Sequence, residues 1–422
     1  MSIKNDHTAL HGAPAGLDDS TATARLHALT EACRSPAGPG RNWHNLHCHS
    51  TYSYNGYGCS PTALVWLARS LGLSHVGLVD FDTLDAVEEF HAAGRIAGIR
   101  TVASLETRAY IESFATREIN SPGEPGITYH MISGFVDGSA GADPVVRDLR
   151  ARSDRRNRDV VARVNAHLEP LAIDYEHDVL PLTPAGNATE RHLCAALQRA
   201  AEARFPDASQ RAAFWHEKLG TDVSAHLDDD AALQGSIRSK LMKQGGVAYQ
   251  QPDRDTFPAI STIDELALRC DAIPTMAWLD GLSAGEDAVD ELLDAHAARG
   301  VVACNIIPDR NWNFSDPELK ARKLGALARL VHAVSERGWF MMVGTELNAP
   351  GLKVVDDFDA PELAPFVDQF RFGADVLYGH TVARRRGDPG YCHPDTAARF
   401  PDLRERANHF ATIGRSADPT TD

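Results

Sequence analysis

Leu46-His47-Cys48-His49-Ser50-Thr51-Tyr52-Ser53 is the stretch on which the reading of this chain turns. It ends a run that opens near residue 42 and leads into a polar, glycine-bearing loop closed by Ser60-Pro61. Residues two apart on a strand point the same way, so His47 and His49 can aim both imidazoles at one ion. The spacing alone is weak, because a chain with 19 histidines in 422 residues yields about one such pair by chance. Its weight comes from its place at a strand end, facing a loop.

Outward from this pair, strands and helices alternate. Ser60 is an N-cap with Pro61 at the first helical position; Leu64, Leu67, Ala68 and Leu71 recur at helical spacing, and Gly72 stops the helix. Strands are expected over 42–49, 75–79, 99–105, 128–135, 273–279, 301–307 and 339–343, with helices over 83–97, 285–299 and 316–337. Such alternation favours a parallel sheet, either a closed barrel or an open doubly wound one. No G-x-G-x-x-G or P-loop follows the first strand, which weakens the nucleotide-fold reading. Polar residues gather at strand C-termini instead, where barrel enzymes place their chemistry. Residues 142–270 break the pattern and read as a mostly helical, charged insertion between a first barrel part (41–141) and a second (271–415). Residues 1–40 read as a flexible N-terminal extension with a helix near 20–33, and residues 416–422 as a disordered tail.

Charge narrows the partners. With 58 acidic against 42 basic residues the chain carries −16, which argues against nucleic acid or an anionic membrane. A small anionic substrate stays open, because a few local arginines override the global field. Seven scattered cysteines without a C-x-x-C fit a reducing compartment. No apolar run approaches a membrane span of about 18 residues, and Met1–Leu10 has no apolar leader core. The expectation is a soluble cytoplasmic protein; oligomeric state has no signal.

Further candidates lie at later strand ends. Asp80 can orient a histidine, ligate or act as a base, while Asp82 or Thr83 can cap a helix. Glu106 and Arg108 share one strand face, a carboxylate beside a guanidinium able to grip an oxyanion. His130 on the fourth strand and Glu346 past the last extend the set. Each has a bland alternative as cap, ion pair or packed histidine; their shared position on one rim sets them apart.

In this order the first motif, Val79-Asp80-Phe81-Asp82-Thr83 and Leu105-Glu106 resemble successive motifs of the PHP (polymerase and histidinol phosphatase) family. A looser likeness runs through Thr189-Glu190-Arg191-His192, residues 274–280 and Gly344-Thr345-Glu346-Leu347-Asn348. The resemblance implies an α/β fold, a distorted (β/α)7 TIM-like barrel, with a metal cluster at the strand C-termini that hydrolyses phosphoesters. It implies His47, His49, Glu106, His130 and Glu346 as metal ligands. Asn45 stands for the motif's opening Asp; Tyr54, Phe81 and Asn348 stand where the family's third-metal ligands would be, and Trp278 near its Ala-His-Pro ligand. One or two divalent ions (Zn, Mn or Fe) are therefore expected, a second needing His130 with His192 or Asp280.

Arg191-His192, behind the N-cap Thr189, looks suited to gripping phosphate. Arg117 sits in an extra loop able to close over the site; Lys353 is a solvated lysine or a further substrate cation, and His380 is expected to pack. The leading expectation is a phosphoesterase acting on a small anionic metabolite through a metal-activated water. Asp80 or His192 would move protons, and Arg108, Arg117, Arg191 and Lys353 would hold charge. One rival is a mono- or dinuclear enzyme acting at carbon on a sugar acid or hydroxy acid, as a C–N or C–O hydrolase, lyase or isomerase. The other is a non-catalytic metal- or ligand-binding protein.

Overall fold

Among residues 13–422, which the computed structural model describes, seven strands lie side by side in chain order. They are β1 (His44–Cys48), β2 (His75–Phe81), β3 (Arg100–Tyr110), β4 (Ile127–Phe135), β5 (Ile273–Ala277), β6 (Ala303–Ile306) and β7 (Phe340–Val343). Just past β7 the chain returns to β1: Glu346 N–H donates to His47 O at 2.7 Å and His49 N–H donates to Glu346 O at 2.8 Å. The result is a mixed α/β, nearly closed seven-stranded barrel, as expected for a TIM-like architecture.

One strand departs from the parallel pattern. β1 to β3 and β5 to β7 run parallel, but β4 is antiparallel to both neighbours. The cause lies in the β3–β4 connection, which contains only the short turn Glu112–Phe114 and no crossover helix. A parallel pair needs such a crossover; without one the chain doubles back.

The outer helices follow their local signals. Ser60 Oγ accepts from Ala63 N–H at 3.0 Å and Pro61 opens the helix Pro61–Ser70, while Gly72 takes φ +70 just beyond it. The helix Val367–Arg385 closes the far side of the barrel, burying Phe370, Leu377 and His380. His380 packs as expected, its Nε2 on Gly134 O at 3.1 Å and its Nδ1 accepting from Tyr391 N–H.

The helical excursion has its own core, built from Val164, Leu193, Leu197, Trp215, Leu233 and Ile237. Its first helix, Pro144–Leu168, is shared: Val146 and Leu149 enter the barrel core, whereas Val161, Val164 and Leu168 enter the second one. The helix Ile260–Arg269 buries Ile263, Leu266 and Ala267 in the barrel core. Packing therefore draws the line differently from the sequence pattern, which read 142–270 as one unit.

Both ends also differ from expectation. The first twelve residues of the extension lie outside the described residues. The remainder is packed: the helix Ala22–Ala32 buries Leu29, Leu17 joins the core, and Arg25 pairs with Glu89 with both side chains under a tenth exposed. Ser60 Oγ also donates to Leu17 O at 2.6 Å. Apolar Leu17 and Leu29 spaced around one basic residue gave too short a pattern to reveal this docking. At the other end Asp422 is held by Arg385 and Arg386, so the tail is tied down.

Glu89 also accepts from Thr62 Oγ1 at 2.7 Å, so removing Arg25 strands a buried carboxylate. Arg25→Ala should lower unfolding free energy by about 3 kcal/mol in urea denaturation; an unchanged midpoint would show that this segment is not docked. Burial also lowers His44 to about 3 and His380 to about 3, against 6.5 for an ordinary histidine. The unfolded chain then binds more protons below pH 6.5, so that stability is fully present above that value and lost as pH falls toward the folded pKa. Urea midpoints should drop steadily with acidification below about pH 6.5, and a flat profile would contradict it.

Candidate metal centre and its cavity

Strand geometry brings the central residues together. His47 and His49 leave the mouth end of β1 and the chain just after it, and Glu106 stands on β3. His47 Nε2 and His49 Nε2 are 3.4 Å apart, with Glu106 Oε2 at 3.2 Å from His49 and 3.9 Å from His47. All three side chains are buried, and their ligand atoms lie within 4.8 Å of one another.

What lies behind each imidazole decides which nitrogen faces inward. His47 Nδ1 is 3.1 Å from Asn305 Oδ1, and the Asn305 amide nitrogen is committed to Met342 O at 3.2 Å. The Asn305 oxygen therefore accepts, and the proton of neutral His47 sits on Nδ1. His49 Nδ1 meets Ser53 Oγ at 2.9 Å, while Ser53 Oγ donates to Asp80 Oδ1 at 2.7 Å. Asp80 is held in turn by Ser50, through its N–H at 2.8 Å and its hydroxyl at 2.6 Å. In neutral histidines both Nε2 lone pairs thus point at each other and at a carboxylate, an arrangement that wants a cation between them. Fixed tautomers of this kind are the usual support of metal-ligating histidines.

The electrostatics agree. Burial pushes His49 down, but the hydrogen bond and charge of Glu106 outweigh it and raise the imidazole above its ordinary value. His47 is lowered by burial against the opposing pull of Glu106. Burial would raise Glu106, yet the His49 hydrogen bond and both imidazoles leave it below the ordinary carboxylate range.

Glu346 reaches the same rim through a strained turn, with φ +68 at Glu346 and +54 at Leu347. Left-handed conformations in such residues are costly and gather at functional sites. Its Oε2 accepts from Arg310 at 2.9 Å and from Asn348 Nδ2 at 3.0 Å.

These groups open on a cavity of about 1270 Å³ whose lining includes His47, His49, Glu106, Arg108, Arg191 and Glu346. Tyr54, Phe81 and Asn348 also line it. These three residues therefore converge on one space but offer no imidazole or carboxylate. Trp278 and Asp280 line it too, Asp280 paired with Lys323 at 2.9 Å.

Other sequence candidates fall elsewhere. Opposed residues of an antiparallel pair share a face. Glu106 faces Met131 and Arg108 faces Tyr129, all on the cavity side, so His130, opposite Thr107, points outward. Its Nε2 bonds Asp264 at 2.7 Å and its ring stacks on His296. His130 is therefore no part of the donor cluster. The sequence placed it on the rim, but strand alternation on β4 sends it to the helical layer.

Asp80 stands behind His49 and does not line the cavity, so it positions that histidine and is out of reach as a proton-transfer group. His192 is likewise behind the wall: its Nδ1 accepts from Thr189 N–H at 3.0 Å, and burial lowers it to about 4. Arg117 pairs with exposed Glu291 at 2.8 Å and lies outside the cavity. Lys353 pairs with Asp309 above the Trp312 ring, also away from it. Arg108 stays on the wall, bonded to Glu124 at 3.1 Å.

Sequence reasoning missed Asn305, Arg310, Arg156 and the role of Ser53. The signal for Asn305 was a polar residue inside the apolar run Ala303–Ile306. Arg310 carried none beyond following that strand.

No protein-family model matches the chain. The error-prone DNA polymerase of Cutibacterium acnes is 38% identical over 71 residues, covering 17% of this chain and 6% of that protein. The chain thus spans a small fraction of that relative's length. An amidohydrolase from Chromobacterium violaceum, solved with bound sulfate and no metal, aligns at TM-score 0.51 and 14% identity, covering 77% of this chain and 96% of that one. A proposed metal-dependent phosphoesterase from Bifidobacterium adolescentis aligns at TM-score 0.47 and 19% identity, covering 75% and 90%. The alignment with the amidohydrolase is a likeness of fold.

Asp80→Asn should weaken divalent-metal affinity by about tenfold to a hundredfold, measured by competition with a chelating dye. His130→Gln should leave that affinity unchanged. The reverse ranking would show that the cluster is misassigned.

Proposed function

We propose that this chain is a metal-dependent hydrolase that cleaves phosphoesters of small anionic molecules. The observation that carries the reading is the His47–His49–Glu106 cluster, with both Nδ1 atoms tied back, opening on an arginine-lined cavity. The donor set of two imidazoles and a carboxylate, which Glu346 would join as a fourth by turning from Arg310 and Asn348, suits Zn²⁺, Mn²⁺ or Fe²⁺. When bound, such an ion supplies Lewis acidity and makes water a nucleophile near neutral pH.

One ion is the expected complement. Among the described residues a single group of three such donors comes together. The donors considered for a second are occupied elsewhere: His130 by Asp264, His192 by its helix cap, Asp280 by Lys323.

The chain's own residues supply the rest. Asn305 and the Ser53–Asp80 pair hold the imidazoles in register, so little reorganisation is needed on binding. Arg310 and Asn348 hold Glu346 at the rim. Arg191 and Arg310 face the cavity, and a guanidinium matches the oxygens of a phosphoryl group in charge and geometry. This arginine content favours phosphorus over carbon as the centre attacked.

The test is phosphate release from a panel of phosphomonoesters and diesters by protein loaded with each metal. Release should depend on metal and fall by at least about a hundredfold in His49→Ala, with close to one metal equivalent per chain by elemental analysis. Three bound equivalents, or no metal-dependent phosphate from any ester, would sink the proposal. Turnover of sugar acids or lactones in its place would move the chemistry to carbon.

A further inference from the structure

Of the cations on the cavity wall, Arg156 and Arg191 have no ion pair and no hydrogen bond among the described residues, and of these two Arg156 shares an aromatic ring with a second guanidinium. It projects from the middle of the helix Pro144–Leu168 and lines the cavity. Its guanidinium lies over the Phe257 ring at 4.7 Å from the centroid, and Arg108 lies over the same ring at 4.2 Å. Two guanidiniums share one aromatic ring. A ring face attracts a cation but cannot neutralise it.

The acids near Arg156 form their hydrogen bonds with other groups. Glu124 bonds Arg108 and Ser121. Glu190 is shared between Arg238 at 2.8 Å and Lys243 at 2.7 Å. Buried Asp82 feels the charge of Arg156 but makes no ion pair or hydrogen bond with it, accepting instead from Thr107 at 2.6 Å. The strain on Arg156 shows in its acidity: burial, then the neighbouring charge of Arg108, lowers it to about 10. A guanidinium keeps its proton under ordinary conditions, so the missing component is an anion that arrives with a ligand.

We infer that Arg156, with Arg108 across the Phe257 ring, forms a distal anion subsite, and that the substrate carries a second anionic group remote from the ester that is cleaved. The inference rests on the hydrolase reading for what occupies the metal end, but the subsite itself does not depend on turnover. Glu106 and Arg108 lie on one face of β3 two residues apart, about 7 Å along the strand. The second anion is therefore held well away from the His47–His49–Glu106 cluster. The substrate class is an elongated molecule with a phosphoester at one end and a carboxylate or phosphate at the other. The −16 charge of the whole chain makes a cationic wall at this depth all the more local.

Alkyl phosphonates resist hydrolysis and separate binding from catalysis. The probes are linear phosphonates of graded length ending in an alcohol, a carboxylate or a second phosphonate, titrated calorimetrically into metal-loaded protein. The anionic terminus should tighten binding by about tenfold or more over the alcohol. Arg156→Met should erase that advantage while leaving the alcohol-terminated probe's affinity in place, and Arg156→Lys should keep part of it. A larger gain for the second phosphonate assigns the distal group to phosphate, and a larger gain for the carboxylate assigns it to a carboxylic acid. No advantage for either anion, or an advantage that survives Arg156→Met, overturns the subsite. A phosphonate preference with no metal-dependent ester cleavage would instead leave the subsite standing and remove the hydrolase reading.

Discussion

The seam between β7 and β1 is the constraint on which the mouth of this barrel depends. Two backbone hydrogen bonds, Glu346 N–H to His47 O and His49 N–H to Glu346 O, close the sheet where the cluster stands. A side chain at Gly344 would drive its Cβ to 2.4 Å from the Cβ of His47, so only glycine lets the strands approach this closely. Asn45 stitches the same seam. Its Oδ1 accepts from His47 and Thr345 N–H, and its Nδ2 donates to Thr345 Oγ1 and Val354 O. A carboxylate could accept here but could not donate, so an amide is what this position requires. Backbone closure, side-chain stitching and the left-handed turn at Glu346 together carry a carboxylate from residue 346 to a pair of histidines some 300 residues earlier.

Behind the seam lies a second layer that determines what the first layer can do. A histidine pair without Asn305 and Ser53–Asp80 would be free to choose tautomer and rotamer. With them, each ring has one nitrogen tied and one presented. The buried Asp80 costs desolvation, which raises it above the ordinary carboxylate range, and its three donors from Ser50 and Ser53 offset that cost. The cluster is therefore a preorganised object, and the cavity charge is arranged around it. Guanidiniums line the wall formed by β3 and the helical excursion, interleaved with Glu124 and Glu190.

Much of this was legible in the chain itself. Alternation of apolar runs with capped helices marked all seven strands, and the Ser60-Pro61 and Gly72 punctuation fell where the helix begins and ends. His47, His49, Glu106 and Glu346 were recognisable because strand spacing and motif order travel with the sequence. His130 misled because its reading assumed a parallel strand. The missing crossover between β3 and β4 reverses the chain, and one step of alternation then separates Met131 inside from His130 outside. Arg117 and Lys353 misled for another reason: a long cationic side chain pairs with whatever carboxylate lies nearest, and Glu291 and Asp309 are supplied by distant segments.

The sequence by itself determined the period of each element, the residues able to bind a cation and the order in which they arrive at strand ends. These are local properties, fixed by residue type and spacing of two or three to four. Only the tertiary structure decided which of those residues share one cavity. It turned His130 outward, set Asp80 behind His49, docked the helix Ala22–Ala32 through Arg25 and Glu89, and left Arg156 facing the cavity without a partner. Each of these depends on contacts between segments far apart in the chain, and such contacts leave no trace in the spacing of either segment alone.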